Sequence, residues 1–350
     1  MVANWLLVFL FTVPNNMVEE HEILALSPEM KTMLDQHIRG EYNHEKRLHL
    51  LIELIFDEAF LGLHYANDHT KTSIETFETR NGNCLSFTNM FVAMARYLGL
   101  DAGFQEVVNF PSWDRQDNVV VLNLHMNALV RLQGRRYVVD FNPFEDRKDR
   151  TSRAVPDHRA KAQYYNNRGA EFFRNGDTEQ ALVYFKKALS IDPDLSFAWS
   201  NLGVAYSKSQ LWEESEKAYL LALKSNRQEY TAMTNLAKLY QRLGREKEAH
   251  RYLKKVSAFR NLNPYYHFSL GEQAYHDSRF EDAVKHFRRA IKRKGKEHEF
   301  YFALAKTYSR LDDLPKVIEA LKKARQFAPE VFDRNRYSQK LEKLAAPNNF

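Results

Sequence analysis

Residues 196–229 read SFAWSNLGVAYSKSQLWEESEKAYLLALKSNRQE, and the pattern recurs with a period of 34. Windows of that length open at Ala162, Ser196, Tyr230, Pro264 and His298 with no insertion between them (162–195, 196–229, 230–263, 264–297 and 298–331). Their seventh and eighth places hold Arg168-Gly169, Leu202-Gly203, Leu236-Ala237, Leu270-Gly271 and Leu304-Ala305. Place 24 holds Phe185, Tyr219, Leu253, Phe287 and Leu321, and place 27 holds Ala188, Ala222, Val256, Ala290 and Ala324. Each window reads as a helix A carrying a close-approach Gly or Ala, then a helix B with small-large-small spacing. One such pair cannot bury its own apolar face, so stability comes from stacking neighbours, and the period predicts a solenoid. Residues 332–346 read as a capping helix, with Pro347 behind it.

This array resembles the tetratricopeptide repeats. The resemblance implies that helices A line a concave groove that takes an extended protein or peptide segment. On those helices Asn167, Asn201 and Asn235 occupy place 6 of three successive windows. An amide there can both donate to and accept from a peptide backbone. Lys238, Arg242, Lys306 and Arg310 recur at spacings of four and make that end of the groove positive. The bland alternative spends the asparagines on inter-repeat bonds and leaves the cations solvated. The family's clamp for a carboxylate terminus, a Lys ahead of the first Asn, is missing.

Charge divides the chain the same way. Ala160 to Ala346 carries 35 Lys and Arg against 23 Asp and Glu, and the remainder carries 16 against 22. Opposite signs indicate two domains with different partners. The densest basic run, Lys285 to Lys296 (KHFRRAIKRKGK), falls on a helix B. Cations near a helix C-terminus are favoured by the dipole, and no aromatic-glycine pattern accompanies them, so no specific nucleic acid is expected. Trp5 to Val13 (WLLVFLFTV) is too short for a span, which takes ~20 residues, and has the length of a secretory core. Residues 1–16 are therefore a signal-like segment or a short buried element, and membrane association is expected only through them. The first reading places the protein in the cell envelope or periplasm, the second in the cytoplasm.

Residues 17–158 form a second, α+β domain. Leu48 to Leu63 is apolar with helical period. Arg80-Asn81-Gly82-Asn83 is a turn, Cys84 opens the helical stretch Leu85 to Leu98, and Gly99 stops it. Ala102 to Val108, Val119 to Leu132 and Arg135 to Phe141 read as strands, the last two joined by a hairpin at Gln133-Gly134. Cys84 is the sole cysteine. At a helix N-terminus, unpaired N–H groups and the dipole favour a thiolate, and such a nucleophile wants a base held by a third group. If Leu132 pairs with Arg135, then His125 pairs with Asn142, and Asp140 lies on the same face as His125 and diagonal to it. Diagonal partners lie ~7–8 Å apart at Cα, close enough for a carboxylate to orient an imidazole.

Gly82-Asn83-Cys84 opening a helix, then Ala95-Arg96-Tyr97-Leu98-Gly99-Leu100-Asp101-Ala102, then a strand His and a strand Asp, resembles the transglutaminase-like superfamily over Thr79 to Pro143. The resemblance implies a papain-like core with Cys84 as nucleophile, His125 as general base and acid, and Asp140 as its orienter. Two places depart from the family's usual pattern. Met126-Asn127 follows the His, and Phe141-Asn142-Pro143 follows the Asp. The expected function is acyl transfer through a Cys84 thioester, with water giving a peptidase or amidase and an amine giving a crosslinking transglutaminase. The alternative is a non-catalytic adaptor. The fusion resembles a group of bacterial two-domain proteins, many of them exported. No cofactor is expected. His44 with His49, and His64 with His69, lie five apart, a spacing that does not put two ligands on one helical face, so no metal is expected either.

Overall fold

A computed structural model of the chain describes residues 17–66, 69–116, 119–141 and 152–345. The signal-like segment, Asn142, Pro143 and Pro347 lie outside them. The N-terminal domain runs α1 (Pro28–His37), α2 (His44–Phe56), β1 (His64–Tyr65), α3 (Ser73–Thr79), β2 (Asn81–Gly82) and α4 (Cys84–Tyr97). It continues with β3 (Asp101–Gln116), β4 (Val119–Leu132), β5 (Arg135–Val139) and β6 (Ser152–Val155). These last four make one sheet in the order β5-β4-β3-β6. Helix α4 is enclosed by protein: every residue from Leu85 to Ala95 is buried, the polar Ser86, Thr88 and Asn89 together with the apolar ones. Along β4, Met126, Ala128, Val130 and Leu132 join the same core as α4, which sends His125 and Asn127 to the other face.

Helix α2 differs from the sequence expectation at both ends. Asn43 caps it by accepting from the Glu45 and Lys46 amides, so it starts early. At Asp57 the chain leaves the helix and folds back, and the Leu61 and Leu63 amides donate to the Leu54 and Ile55 carbonyls. The apolar run to Leu63 is a helix plus its own return. Strand β5 stops at Val139, short of Phe141.

The repeats are α5 (Asp157–Arg174) with α6 (Thr178–Ile191), α7 (Ser196–Lys208) with α8 (Trp212–Ser225), and α9 (Tyr230–Arg242) with α10 (Glu246–Arg260). Then come α11 (Pro264–His276) with α12 (Phe280–Arg293), α13 (His298–Arg310) with α14 (Leu314–Phe327), and a closing α15 (Val331–Ala345). By contact density the chain separates into two bodies. Of the described residues, one holds those within 17–111 and 124–252, the other those within 112–123 and 253–345. In the first body the apolar core is continuous from Ile23 in the N-terminal domain to Ala218 in α8.

Two periodic features explain the turns and the close packing. Gly176, Gln210, Gly244, Ser278 and Asp312, spaced by 34, all have positive φ between the helices of a pair, a left-handed residue that reverses the chain where helix A ends. Within pairs, a Cβ added at Gly169 would lie 2.8 Å from the Phe185 ring, at Gly203 2.6 Å from Tyr219, and at Gly271 2.5 Å from Phe287. Place 8 is Gly where place 24 is aromatic, and Ala (Ala237, Ala305) where place 24 is Leu (Leu253, Leu321). The ring needs the space that a methyl group would occupy.

Gly203→Ala is therefore expected to destabilise by about 1–3 kcal/mol through overpacking, which outweighs the better helix propensity of Ala. Combining it with Tyr219→Leu recreates the arrangement of the third and fifth repeats. A double-mutant cycle in urea should give a favourable coupling of about 1 kcal/mol or more. Strict additivity would remove the steric explanation.

Candidate functional site

Cys84 is the first residue of α4, and a dense set of polar bonds fixes the turn it opens. Asn83 is the N-cap: its Oδ1 accepts from the Ser86 amide at 3.0 Å and from Ser86 Oγ at 3.0 Å, while its Nδ2 donates to Thr70 Oγ1 at 2.8 Å. Ser86 Oγ in turn accepts from the Lys71 amide at 2.9 Å. The short parallel pair β1–β2 places Gly82 opposite Tyr65. A Cβ on Gly82 would sit 2.7 Å from Ser86 Cβ, so glycine is required for this close turn. Thr88, one turn along, donates its hydroxyl to the Cys84 carbonyl at 2.7 Å and lies 3.3 Å from the Met126 carbonyl. That fastens α4 to β4 beside His125. Cys84 itself is half-buried.

His125 Nε2 and Asp140 Oδ1 are 2.6 Å apart, both side chains less than a tenth exposed, and Cys84 lies close enough to the ring to raise its pKa. With Nε2 committed to the carboxylate, Nδ1 is the ring nitrogen left for the sulfur. The register Leu132 opposite Arg135 holds as far as Ala128 opposite Val139. It puts Asp140 level with Asn127, two residues from His125 on the shared face. Burial alone would push the imidazole's pKa down. The hydrogen bond to Asp140 and the nearby Cys84 outweigh it and raise the value to about 10. The three residues of the expected triad thus meet.

The structure adds groups that the sequence reading passed over. Asn127 Nδ2 reaches Asp140 Oδ2 at 3.5 Å, Gln105 Nε2 donates to Asn127 Oδ1 at 3.2 Å, and Arg136 Nη2 donates to Gln105 Oε1 at 3.2 Å. Asn127 and Gln105 are almost fully buried, so this line supports the carboxylate from behind. Phe141 packs against Phe56, Phe87 and Phe91 with ring centres 5.5–5.7 Å apart, anchoring the residue next to Asp140. Both departures from the family pattern, Asn127 and Phe141, therefore have roles here. The signal for Asn127 was its parity with His125; for Gln105 and Arg136 there was none.

The array residues divide between the two bodies. In the first, Asn201 Nδ2 donates to Asn166 Oδ1 at 2.8 Å, so one of its donors joins successive helices A. Asn167 Oδ1 lies 3.4 Å from Asn166 Nδ2, and Asn235 is half-buried on α9. Lys238 is exposed, and the Arg242 guanidinium sits 4.5 Å from the Trp212 ring centre. In the second body, Lys306 lies over Tyr275 and Phe302, and Arg310 over Phe280. Lys306 also lines a recess of about 280 Å³ between α11, α13 and α15, with Glu272, Tyr275, His276, Phe302 and Arg336 around it. On the basic run, Lys285 pairs with Asp282 and Lys294 with Glu297. Among the described residues no group of three or more His, Cys, Asp or Glu is arranged to hold a metal ion, and no helix is long and apolar enough to cross a membrane.

The transglutaminase-like superfamily profile matches residues 32–141, and tetratricopeptide repeat profiles match 162–195, 198–229 and 231–261. An uncharacterized protein of Methanocaldococcus jannaschii is 36% identical over 63 residues, 18% of this chain and 73% of its own length. Anaphase-promoting complex subunit 3 of Schizosaccharomyces pombe is 24% identical over 151 residues, which is 43% of this chain and 23% of that protein. Human mitochondrial import receptor subunit TOM70 is 30% identical over 93 residues, 25% of this chain and 15% of that one. The chain thus spans less than a quarter of either of these two. Of solved structures, Pseudomonas aeruginosa PilF has a TM-score of 0.36 at 20% identity, covering 53% of this chain and 93% of its own. YrrB, described as having an unusual peptide-binding site, has a TM-score of 0.29 at 19% identity, covering 51% and 92%. Residues 32–141 thus form a transglutaminase-like domain, and tetratricopeptide repeats follow it.

Proposed function

We propose that this protein is a cysteine acyl-transfer enzyme acting on a protein or peptide amide, with the repeat array docking the substrate or a partner. The observation that carries the reading is the buried His125–Asp140 hydrogen bond beside Cys84, with the His125 pKa raised to about 10 by both neighbours. The Cys84 sulfur attacks the amide carbon, and His125 passes its proton to the departing amine, leaving a thioester. Neutral His125 then takes a proton from water or an incoming amine, which attacks the thioester and releases the acid or a new amide. His125 keeps that proton as the sulfur leaves, which restores the starting arrangement of sulfur and charged imidazole. The Cys84 amide, at the first position of α4, has no partner within the helix and serves as an oxyanion donor. The carboxylate of Asp140 keeps the ring oriented and stabilises its charged form.

Docking rests on the stacked helices A, whose family binds extended segments in the groove they form. The recess around Lys306 has aromatic walls, with Lys306 and Arg336 beside Glu272 and Glu299 in its lining, which suits an apolar side chain flanked by polar groups. Asn235, Lys238 and Arg242 are the corresponding groups on α9, and Asn167 and Asn201 present whatever amide capacity Asn166 leaves.

Because the sole cysteine is Cys84, iodoacetamide followed by intact mass reads the nucleophile directly. His125→Ala is expected to slow labelling at pH 7 by about tenfold or more, and Asp140→Ala to slow it in part. Equal rates in all three proteins would sink the catalytic reading.

The raised pKa of His125 also has a thermodynamic consequence. A folded value of about 10 against an ordinary 6.5 means that the native state binds the proton more tightly. The stabilisation is complete below about pH 6.5 and lost as the pH rises through 10. Urea midpoints measured from pH 6 to 10.5 should therefore fall more steeply in the wild type than in His125→Ala. Parallel curves would contradict the charged-imidazole assignment.

A further inference from the structure

The geometry points to Glu171, on the first helix of the repeat array, as a positioning residue for the Cys84 nucleophile of the neighbouring domain. Its side chain is buried, 6% exposed, and its Oε1 accepts from the Thr70 amide at 2.7 Å across 101 residues of sequence. Its Oε2 accepts from Arg168 at 2.8 Å and lies 3.5 Å from His69 Nδ1. Thr70 Oγ1 accepts from Asn83, and Asn83 caps the turn that begins with Cys84. Residues 69–71 are thus a strap braced on one side by the array and on the other by the N-cap of α4, since the Lys71 amide bonds Ser86 Oγ.

Among the described residues no other group takes the Thr70 amide, and a buried N–H left unpaired is costly. Without Glu171 the strap must move to find a new partner, and Asn83 moves with it. The platform holding Glu171 is itself fixed to the domain. Arg96 grips Asp157 through both carboxylate oxygens at 2.5 and 2.8 Å. Glu106 on β3 accepts from Arg159 at 2.9 Å, Arg159 reaches on to Asp192, and the Tyr165 hydroxyl donates to the Val18 carbonyl. The first repeat is therefore a component of the nucleophile's setting as well as the start of a docking array. Displacement of α5 by a docked partner would reach Cys84 through the side chains of Glu171, Thr70 and Asn83.

The inference rests on the catalytic reading above, and the test separates the two. In the full-length protein, iodoacetamide labelling of Cys84 is measured against pH alongside amide hydrogen exchange at Thr70 and Ser86, for the wild type, Glu171→Ala, Glu171→Gln, Thr70→Val and His125→Ala. The expected result is labelling about tenfold slower in Glu171→Ala, with a pH profile moved toward that of His125→Ala and faster exchange at Thr70 and Ser86. Glu171→Gln, which keeps an acceptor oxygen for the Thr70 amide, should label within about twofold of the wild type. Thr70→Val, which keeps the shape and removes the acceptor of Asn83, should slow labelling in the same direction. Wild-type labelling in Glu171→Ala overturns the inference even if exchange rises, since the brace would then be structural only. Equal loss in the Gln and Ala variants overturns it as well. If wild type and His125→Ala label alike, the catalytic reading falls and the role of Glu171 falls with it.

Discussion

Helix α4 has to be mainly apolar because protein encloses it, and yet it must present a polar nucleophile at its first residue. A buried helix N-terminus leaves several backbone amides without partners, and each one unpaired costs of order 1–3 kcal/mol. The solution is to concentrate polar side chains in the opening turn. Asn83 caps it, Ser86 returns a bond to the cap, Thr88 ties it to β4, and Thr70 holds the cap from outside. Between and beyond these groups the helix carries Leu85, Phe87, Met90, Phe91, Val92 and Met94 into the core, with the amide of Asn89 buried among them. The position of Cys84 follows from this polar opening turn on a mainly apolar helix.

The same requirement reaches into the repeats. The outer end of the strap on α4 is the Thr70 amide, and a carboxylate from α5 receives it. The apolar core runs without a break from the N-terminal domain into α8, and charged pairs at Arg96–Asp157 and Glu106–Arg159 flank the junction. Asp157 is held below the usual carboxylate range, first by its bond to Arg96, consistent with a junction whose charges are in place at neutral pH. Two functions joined in one chain by a loose linker would show no such continuity.

Within the array, stability depends on how closely helix A approaches helix B. Gly169, Gly203 and Gly271 let Phe185, Tyr219 and Phe287 lie against a bare backbone. In the remaining two windows an Ala and a Leu occupy the same two places. Volume is conserved across the pair of positions while identity is not, as expected of a close-packed interior.

Much of this was legible from residue order alone. The period of 34 revealed the solenoid because each repeat obeys the same local packing rule, so the signal recurs. The cap and glycine around Cys84 revealed a helix start. The two-residue period of strands put His125 and Asp140 on one face, since side-chain parity is set by backbone geometry alone. Only the tertiary structure decided the rest. Cys84 meets His125 across 41 positions, Gln105 and Asn127 support Asp140, Asn201 spends a donor on Asn166, and Glu171 reaches Thr70. None of these contacts repeats, and none lies within one helix or hairpin. They are consequences of which surfaces the apolar core brings together, and a buried polar group takes whatever partner that packing supplies.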